Sequence, residues 1–164
     1  MDEAVDAAAC AADHVPVARR LTGGGTVVIG PGCLNFSLVL SLDQRPALRE
    51  VGRSYQVLLA ALATALAIPG LVRQGLSDLA LGDLKVSGNA QRRSRRALLH
   101  QGTLLGALDR PLMTRYLREP SRQPAYRARR PHGAFVTNLS LPTRELRVRL
   151  RALAVMLNSA DEFS

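Results

Sequence analysis

Apolar side chains recur at every second position in one nine-residue stretch of the chain. They are Leu34, Phe36, Leu38, Leu40 and Leu42. A period of two places them on one face of a β-strand, and that face must be covered by another element. The following segment, from about Ala47 to Ile68, is rich in Leu and Ala, lacks Gly and Pro after Gly52, and ends before a Pro-Gly pair. This pattern predicts a largely buried helix that supplies the cover.

The remaining segments extend the same pattern of strands and helices. Residues 15–21 and 26–30 flank three glycines, which predicts two strands around a glycine turn. The short segments 78–81 and 84–86 flank Gly82-Asp83, which predicts a hairpin with a two-residue loop. We further expect a strand over 97–105, a helix over 111–117, an irregular basic loop over 119–133 and a helix from Pro142 to about Asn158. The sum predicts an α+β domain, a mainly antiparallel sheet flanked by helices.

Length and composition limit the class of protein. With 164 residues, 47% of them hydrophobic, the chain is long enough for one domain with a packed core, which we place over 1–164. The longest apolar segment, Val57 to Ile68, is far shorter than the roughly 20 residues of a membrane span. The start up to Asp13 is acidic and lacks basic residues, unlike a targeting segment, so we expect a cytoplasmic protein without membrane contact. Two cysteines, Cys10 and Cys33, argue against a disulfide framework or a zinc site.

The basic residues are distributed very unevenly by type. The formal net charge is +9, and such an excess favours phosphates or an acidic protein as partners. Of the 22 basic residues, 21 are arginine and one, Lys85, is lysine. A compositional bias towards arginine accounts for most surface cations. A position that keeps lysine under this bias is a candidate for a role that the wider guanidinium cannot perform.

Two local motifs contain side chains suited to chemistry. In the segment 19–26, Arg-Arg-Leu-Thr-Gly-Gly-Gly-Thr, consecutive glycines let backbone N–H groups approach an anion or an acyl chain, although a simple tight turn explains the pattern equally well. Its spacing matches neither a Walker loop nor a dinucleotide-binding loop. Lys85 precedes Ser87-Gly88, where an ammonium could stabilise charge on a carboxyl or phosphoryl oxygen. By spacing alone, a lone lysine is more often a surface cation, and His100 is more often a hydrogen-bonded structural residue.

Five segments in order make the pattern more specific. They read RRLTGGGTVV, GPGCLNFS, SDLALGDLKVSGNAQRR, LLHQGTLL and FVTNL. In order and spacing this series resembles the lipoate-protein ligase catalytic domain of the biotin/lipoate ligase and octanoyltransferase superfamily, over about residues 15–140. The resemblance implies a class II biotin/lipoate ligase-like fold that is shortened at its N-terminus and lacks the family's C-terminal accessory domain. It also implies that a separate accessory protein can complete the ligase.

The resemblance implies an activity and a set of site residues. Such ligases use ATP and Mg²⁺ to convert lipoate to lipoyl-AMP, then pass the acyl group to a lysine on a lipoyl acceptor domain of a 2-oxoacid dehydrogenase or on the glycine cleavage H protein. Lys85 matches the family lysine that contacts the acyl carbonyl and the α-phosphate. Asp78 matches an acidic residue near the phosphates and is a candidate Mg²⁺ ligand. The other implied substrate- or adenylate-binding residues are Arg20, Thr22, Gly23, Gly24, Gly25, Ser87, Gly88, His100, Gly102 and Thr103.

Several alternatives stay open at this stage. An octanoyl or lipoyl transferase of the same fold ranks second, because it needs a catalytic cysteine and the chain has none after Cys33. A catalytically degenerate homologue would only bind lipoate or a partner. The arginine clusters at 92–96 and 127–130 are either a solvated basic face or a docking surface for an acidic acceptor domain. Nucleic-acid binding is disfavoured, since the chain has three Phe, three Tyr and no Trp to stack on bases. The sequence does not decide between lipoate and octanoate.

Overall fold

One antiparallel sheet organises the part of the chain that the computed structural model describes, residues 4–159. The strands are β1 (Cys33–Ser41), β2 (Leu71–Gln74), β3 (Asp78–Leu81), β4 (Leu84–Arg93) and β5 (Ala97–Leu105), in the order β1-β5-β4-β3-β2. The helices are α1 (Ala7–Ala12), α2 (Val51–Leu66), α3 (Pro111–Tyr116), α4 (His132–Phe135) and α5 (Thr143–Ser159). Short 3₁₀ turns cover Pro46–Arg49 and Ala125–Arg127. The predicted domain 1–164 also includes residues 1–3 and 160–164, which lie outside the described residues.

The main core lies between the sheet and two long helices. The apolar side chains of segment 34–42 turn towards the core as the sequence pattern predicts: Leu40 and Leu42 are buried, while Val39 is exposed. Helix α2 supplies the most completely buried side chains, and α5 packs beside it with Leu146 and Leu153. This confirms the predicted α+β class. No helix within residues 4–159 combines the length and the apolarity needed to cross a bilayer.

Local chemistry sets the ends of α2. At its start the Glu50 carboxylate accepts from the backbone N–H groups of Gly52 and Arg53, which satisfies two of the unpaired donors of the first turn. At its end Ala67 takes a left-handed conformation with φ 50°, and its N–H donates to carbonyls of the last turn. The Pro69-Gly70 pair then turns the chain into β2, a short strand that the sequence reading missed.

A bulge in the β3–β4 hairpin changes which residues share a face. The turn at Gly82-Asp83 forms as predicted, with Gly82 at φ 58°. The register then shifts, because Leu79 pairs with Ser87 while Ala80 pairs with Lys85, so Val86 is the extra residue. As a result Lys85 and Gly88 lie on the same face of the sheet although they are three positions apart. β4 also runs seven residues further than the predicted 84–86, to Arg93.

The two strands predicted over 15–21 and 26–30 are not formed. This segment is irregular in the structure and mostly exposed. A strand needs a partner for its backbone groups, and within residues 4–159 the edge strand β1 pairs only with β5. The segment is held instead by side chains, which the next section describes. Helix α1 also was not predicted; it begins after Asp6, whose carboxylate accepts from the N–H of Ala9.

Candidate active site

A cleft of about 620 Å³ opens on the face of the sheet opposite α2. We call this side the cleft face and the side towards α2 the helix face. The floor is formed by β1, β4 and β5, one wall by the glycine-containing segment 20–29, and the opposite wall by residues 117–136. Of the predicted site residues, those that line the cleft are Arg20, Thr22, Gly24, Gly25, Asp78, Lys85, Gly88, Gly102 and Thr103.

Lys85 lies in this cleft beside a buried carboxylate. Its Nζ is 2.8 Å from Oδ1 of Asp78, and the lysine side chain is 27% exposed. Asp78 and Gly88 are opposite each other in the β3–β4 pair, and Lys85 reaches the same point from beyond the bulge. A Cβ built on Gly88 would lie 3.0 Å from the lysine Nζ, so the ammonium rests directly over this glycine. The ammonium therefore occupies space next to position 88 that a side chain there would restrict.

The second oxygen of Asp78 is also occupied. Oδ2 accepts a 2.8 Å hydrogen bond from the hydroxyl of Tyr126, a residue of the loop predicted to be irregular. Burial, together with the negative charge of Asp78, raises the pKa of Tyr126, so the hydroxyl stays protonated and donates. Tyr126 in turn packs on Phe135, with ring centroids 5.1 Å apart. The sequence offered no signal for Tyr126, which lies 48 positions from Asp78.

This arrangement bears on the expected metal role of Asp78. Magnesium held by a protein requires free carboxylate oxygens, usually from one or two acidic residues together with substrate phosphates. Both oxygens of Asp78 are taken by Lys85 and Tyr126, and residues 4–159 contain no cluster of three acidic, histidine or cysteine residues that could hold a metal. In this arrangement Asp78 is the counter-ion of Lys85, and its role as a Mg²⁺ ligand stays a prediction.

The glycine segment is organised around one arginine. The Arg20 Nη2 donates to the carbonyl oxygens of Gly23 at 2.5 Å and Gly25 at 2.8 Å, and its Nε donates to Thr22 Oγ1 at 3.2 Å. Gly24, between the two carbonyls, has φ +91°, which a residue with a side chain rarely adopts. The guanidinium thus fixes the shape of the loop that forms this wall.

Gln101 fastens the same loop to the sheet. Its Oε1 accepts from the hydroxyl of Thr22 at 3.0 Å, and its Nε2 donates to Ser37 of β1 at 3.2 Å. Thr22 is buried by this contact. Sequence reasoning missed Gln101 as a site residue. The alternation of β5 was the available signal, because it places Gln101 on the face opposite to His100.

His100 and Ser87, two of the implied substrate- or adenylate-binding residues, lie on the helix face and do not line the cleft. The imidazole is 1% exposed and packs against Tyr55 of α2, with ring centroids 5.8 Å apart. Burial lowers the pKa of His100 to about 4, which keeps the ring neutral at pH 7. Ser87 is fully buried and accepts from Asn89 Nδ2 at 3.2 Å. Strand alternation sends both side chains away from the cleft, as it does for Leu98 and Leu104. Gly23 lies on the loop, but it does not line the cleft.

The arginine clusters are divided between structural and exposed positions. Arg127 is buried, forms an ion pair with Glu119 and lies 4.8 Å over the Phe135 ring. Arg130 pairs with Asp83 at 2.8 Å. These two arginines hold the 117–136 wall together and are not free for docking. In the first cluster, Arg93 donates to backbone carbonyls ahead of α2, and Arg96 pairs with Asp43. The exposed members are Arg92, Arg95, Arg96 and Arg129.

The lining of the cleft is mixed in character. One part is apolar and belongs to the second hydrophobic cluster of the protein. Its members in the lining are Val28, Leu105, Met113, Phe135 and Val136. Another part carries cationic groups, namely Arg20, Lys85, Arg118 and Arg122. Lys85 joins the two, because its backbone forms a parallel bridge with Val136. Such a lining suits a ligand that combines an aliphatic chain with a negatively charged group near the ammonium.

Comparison with known proteins identifies the family of this fold and cleft. The profile described as the lipoyl protein ligase A/B catalytic domain matches residues 1–155. The chain belongs to this family. Among curated relatives, lipoate–protein ligase 1 of Plasmodium falciparum is 32% identical over 107 residues, which are 64% of this chain and 24% of that protein. A putative lipoate-protein ligase A of Aeropyrum pernix is 36% identical over 101 residues, 60% of this chain and 36% of the relative. The matched region thus spans about a quarter to a third of these relatives.

Solved structures of the ligase family share the architecture. A bipartite lipoate protein ligase from Thermoplasma acidophilum, studied with its E2 lipoyl domain, is 25% identical with a TM-score of 0.77, covering 95% of this chain and 63% of that one. Two further structures, a putative T. acidophilum ligase with bound lipoic acid and a lipoate-protein ligase A bound with ATP, are also 25% identical, with TM-scores of 0.76 and coverage of 95% and 64%. Biotin protein ligase from Aquifex aeolicus, 19% identical with a TM-score of 0.52 over 81% of this chain and 56% of that one, shares the fold alone. These likenesses confirm the predicted fold class.

Proposed function

We propose that this domain activates lipoate with ATP to lipoyl-AMP and transfers the lipoyl group to a lysine of a lipoyl acceptor domain. The observation that carries the proposal is the placement of Lys85. In a chain with 21 arginines, the single lysine lies between the apolar cluster and the glycine loop, over Gly88 and beside Asp78. The family membership and the related structures with lipoic acid and with ATP support the same substrates for this chain.

The first step joins lipoate to the nucleotide. A carboxylate oxygen of lipoate attacks the α-phosphorus of ATP, an acyl–phosphate bond forms, and the bond to the leaving pyrophosphate breaks. Negative charge increases around the α-phosphate during this attack. A preorganised ammonium lowers the barrier because it needs no reorientation when the charge develops. Lys85 is held for this role by Asp78, and the apolar cluster of the cleft would receive the aliphatic tail.

The second step transfers the acyl group. The neutral amine of the acceptor lysine attacks the acyl carbon, an amide forms, AMP leaves, and the ammonium proton passes to solvent. The reaction needs an acceptor amine delivered to one face of the acyl carbonyl, and it needs no protein nucleophile. Mg²⁺ would enter with ATP, bound to its phosphates. The related ligase studied with its E2 lipoyl domain supports an acceptor domain of this kind; an H protein and a separate accessory protein are further candidate partners.

A Lys85→Arg substitution tests the proposal. The guanidinium keeps the charge but is wider and spreads it over three nitrogens, so we expect lipoate-dependent exchange of labelled pyrophosphate into ATP to fall by about a hundredfold or more. The unchanged thermal melting of the variant would show that the fold is intact. Arg151→Met, on the exposed face of α5, is a control that removes a positive charge away from the cleft and should retain full activity. Full activity of Lys85→Arg would remove Lys85 from the mechanism.

Two alternative functions predict different results, each with its own measurement. A transferase would move an octanoyl or lipoyl group between carrier domains without ATP, and mass spectrometry of an acceptor domain would detect that product. A degenerate homologue would bind lipoate in a calorimetric titration without releasing pyrophosphate. The ligase proposal fails if lipoate and ATP together yield neither pyrophosphate nor a lipoylated acceptor.

A further inference from the structure

A continuous chain of hydrogen bonds runs through the helix face beneath the cleft. Arg93 Nη2 donates to Gln91 Oε1 at 3.1 Å, and Gln91 Nε2 lies 3.1 Å from His100 Nδ1. His100 Nε2 lies 3.2 Å from Asn89 Oδ1, and Asn89 Nδ2 donates to the backbone carbonyl of Ser77 at 2.9 Å. Ser77 immediately precedes Asp78, the counter-ion of Lys85. These hydrogen bonds therefore connect Arg93, at the end of β4, to the residue before Asp78, whose carboxylate binds the Lys85 ammonium.

The two end groups of this series fix which group donates in each of its hydrogen bonds. A guanidinium can only donate, and a backbone carbonyl can only accept. Because Arg93 donates to Gln91, the amide nitrogen of Gln91 faces His100, so His100 Nδ1 must accept. The ring proton is then on Nε2 and is donated to Asn89. A proton on Nδ1 of His100, in the charged ring or in the other neutral tautomer, would face the N–H groups of Gln91. Only the neutral Nε2–H tautomer therefore gives every group in the series a hydrogen-bond partner.

The packing around these hydrogen bonds leaves room for the Asn89 side chain. A Cβ on Gly102 would collide with Asn89 Oδ1 and with Phe36, so the absence of a side chain at this position leaves the room that the Asn89 carboxamide occupies. Asn89 and Ser77 both border the cleft from below. The backbone N–H of Asn89 donates to the same Ser77 carbonyl at 3.0 Å. Asn89 thus holds the peptide before Asp78 with two donors.

We propose that His100 is a positioning residue: acting through Asn89, it holds the Ser77–Asp78 peptide so that the Asp78 carboxylate stays aligned with Lys85. The role in catalysis rests on the proposed ligase function. The alignment itself does not, and it can be measured without a substrate. His100 touches no substrate in this proposal, because it lies on the opposite face of the sheet from the cleft.

The single lysine of the chain makes a direct test available. Protein labelled with ¹⁵N-lysine gives one side-chain ammonium signal, that of Lys85, and Asp78→Asn supplies the reference position for a broken ion pair. We expect His100→Leu to move this signal towards the Asp78→Asn position. We expect His100→Gln, whose amide can still donate to Asn89, to leave it at the wild-type position. Ring ¹⁵N shifts of the wild-type protein should show the Nε2–H tautomer for His100.

Several outcomes would overturn the proposal. They are a folded His100→Leu protein with the wild-type lysine signal, a His100→Gln protein that behaves as His100→Leu does, or an Nδ1–H tautomer in the wild type. If His100→Leu does not fold, Asn89→Leu is tested in its place. This change removes the side-chain donor to the Ser77 carbonyl and keeps the backbone N–H of residue 89 that donates to the same oxygen. A Lys85 signal that does not move in Asn89→Leu also overturns the proposal.

An activity arm separates the two proposals. In pyrophosphate exchange, His100→Leu should lower kcat by about tenfold or more while KM for lipoate stays within about twofold, and His100→Gln should restore kcat. If the wild-type protein shows no exchange, the ligase function fails while the lysine signal still decides the positioning role. If exchange is present and His100→Leu leaves kcat unchanged, the positioning role fails while the ligase function stands.

Discussion

At the scale of single residues, the cleft depends on one contact between a side chain and a bare backbone. The Lys85 ammonium occupies the space that a Cβ at Gly88 would restrict, and Asp78 lies at the opposite side of the same point. Glycine at position 88 therefore does not serve a turn; it leaves space for the lysine. The composition of the chain pointed to Lys85, but only the bulge at Val86 explains why a glycine three positions later lies beneath it.

This contact predicts the effect of Gly88→Ala. The added methyl group would lie 3.0 Å from Nζ and 3.1 Å from Cε, so the lysine tip must shift away from its aligned position. We expect the rate of lipoyl-AMP formation to fall by about tenfold or more, with little change in melting temperature, because the lysine side chain is flexible. Gly133→Ala is the matched control, since nothing lies within 4 Å of its added Cβ. Equal activities of the two variants would contradict the assigned role of Gly88.

At the scale of elements, the N-terminal helix supports the outer wall of the cleft. Residues 4–6 pair with 116–118 through an isolated bridge between Val5 and Leu117, and the N–H of Arg118 donates to the carbonyl of Ala4. Asp13, just after α1, accepts from Arg115 and from the Tyr116 hydroxyl at 2.9 Å. These hydrogen bonds lower the pKa of Asp13 to about 2. Leu117 and Arg118 line the cleft, so α1 holds this wall in place.

Asp13→Asn tests this support. The amide cannot form the charged bidentate pair with Arg115, so α1 should separate from α3 more often. We expect hydrogen exchange at the N–H groups of Asp6 and Arg118 to become several-fold faster, while exchange in β5 stays unchanged. Asp43→Asn, which breaks exposed pairs with Arg49 and Arg96 elsewhere, is the control and should leave these amides unaffected. Unchanged exchange in Asp13→Asn would show that α1 is held by its apolar contacts instead.

The pair of long helices supplies half of the buried residues in the main core cluster. Leu62 of α2 is 1% exposed and belongs to the cluster that includes Leu146 and Leu153 of α5. Leu62→Ala should lower the free energy of unfolding by about 2–5 kcal/mol, because it removes buried methyl groups and leaves a cavity. Val148→Ala on the exposed side of α5 should change it by less than about 0.5 kcal/mol. Urea denaturation measures both, and a small effect at Leu62 would mean that this interface is loosely packed.

At the scale of the whole molecule, the sheet separates two chemical environments. The cleft face carries ionised groups near solvent, while the helix face keeps a neutral imidazole among leucines and Tyr55. The buried ring has a pKa of about 4, compared with 6.5 for an unperturbed histidine. Between these values the unfolded chain binds a proton at His100 that the folded protein does not, so stability falls as the pH is lowered through this range.

The pH dependence of stability should therefore show a component that belongs to His100. We expect the wild-type protein to lose on the order of 3 kcal/mol between pH 6.5 and 4 relative to His100→Gln, in which His14 and His132 are unchanged. Asp13 acts in a separate range, because its folded pKa is below the unfolded value of 3.8 and its contribution is lost only from about pH 4 towards pH 2. Urea denaturation at several pH values measures the difference. Parallel curves for the two proteins would contradict the buried, neutral state of His100.

Much of the fold was determined by the sequence alone, for a physical reason. Period-two and helical patterns are local, so β1, β5, α2, α3 and α5 could be read from neighbouring residues. The bias towards arginine singled out Lys85 without any structure, and the ordered motifs gave the family. In each of these cases the informative residues are close in sequence, or their identity alone carries the signal.

Tertiary structure decided what depends on partners distant in the chain. Segment 15–30 has the composition of strands but found no strand partner, and Arg20 and Gln101 hold it as a loop. Only the bulge at Val86 puts Lys85 over Gly88, and only the position of α2 assigns His100 to the buried face. Tyr126 reaches Asp78 across 48 positions. The sequence specifies which side chains are available, but the register of the sheet and the face that α2 covers decide which of them meet, because a shift of one residue sends a side chain to the opposite face.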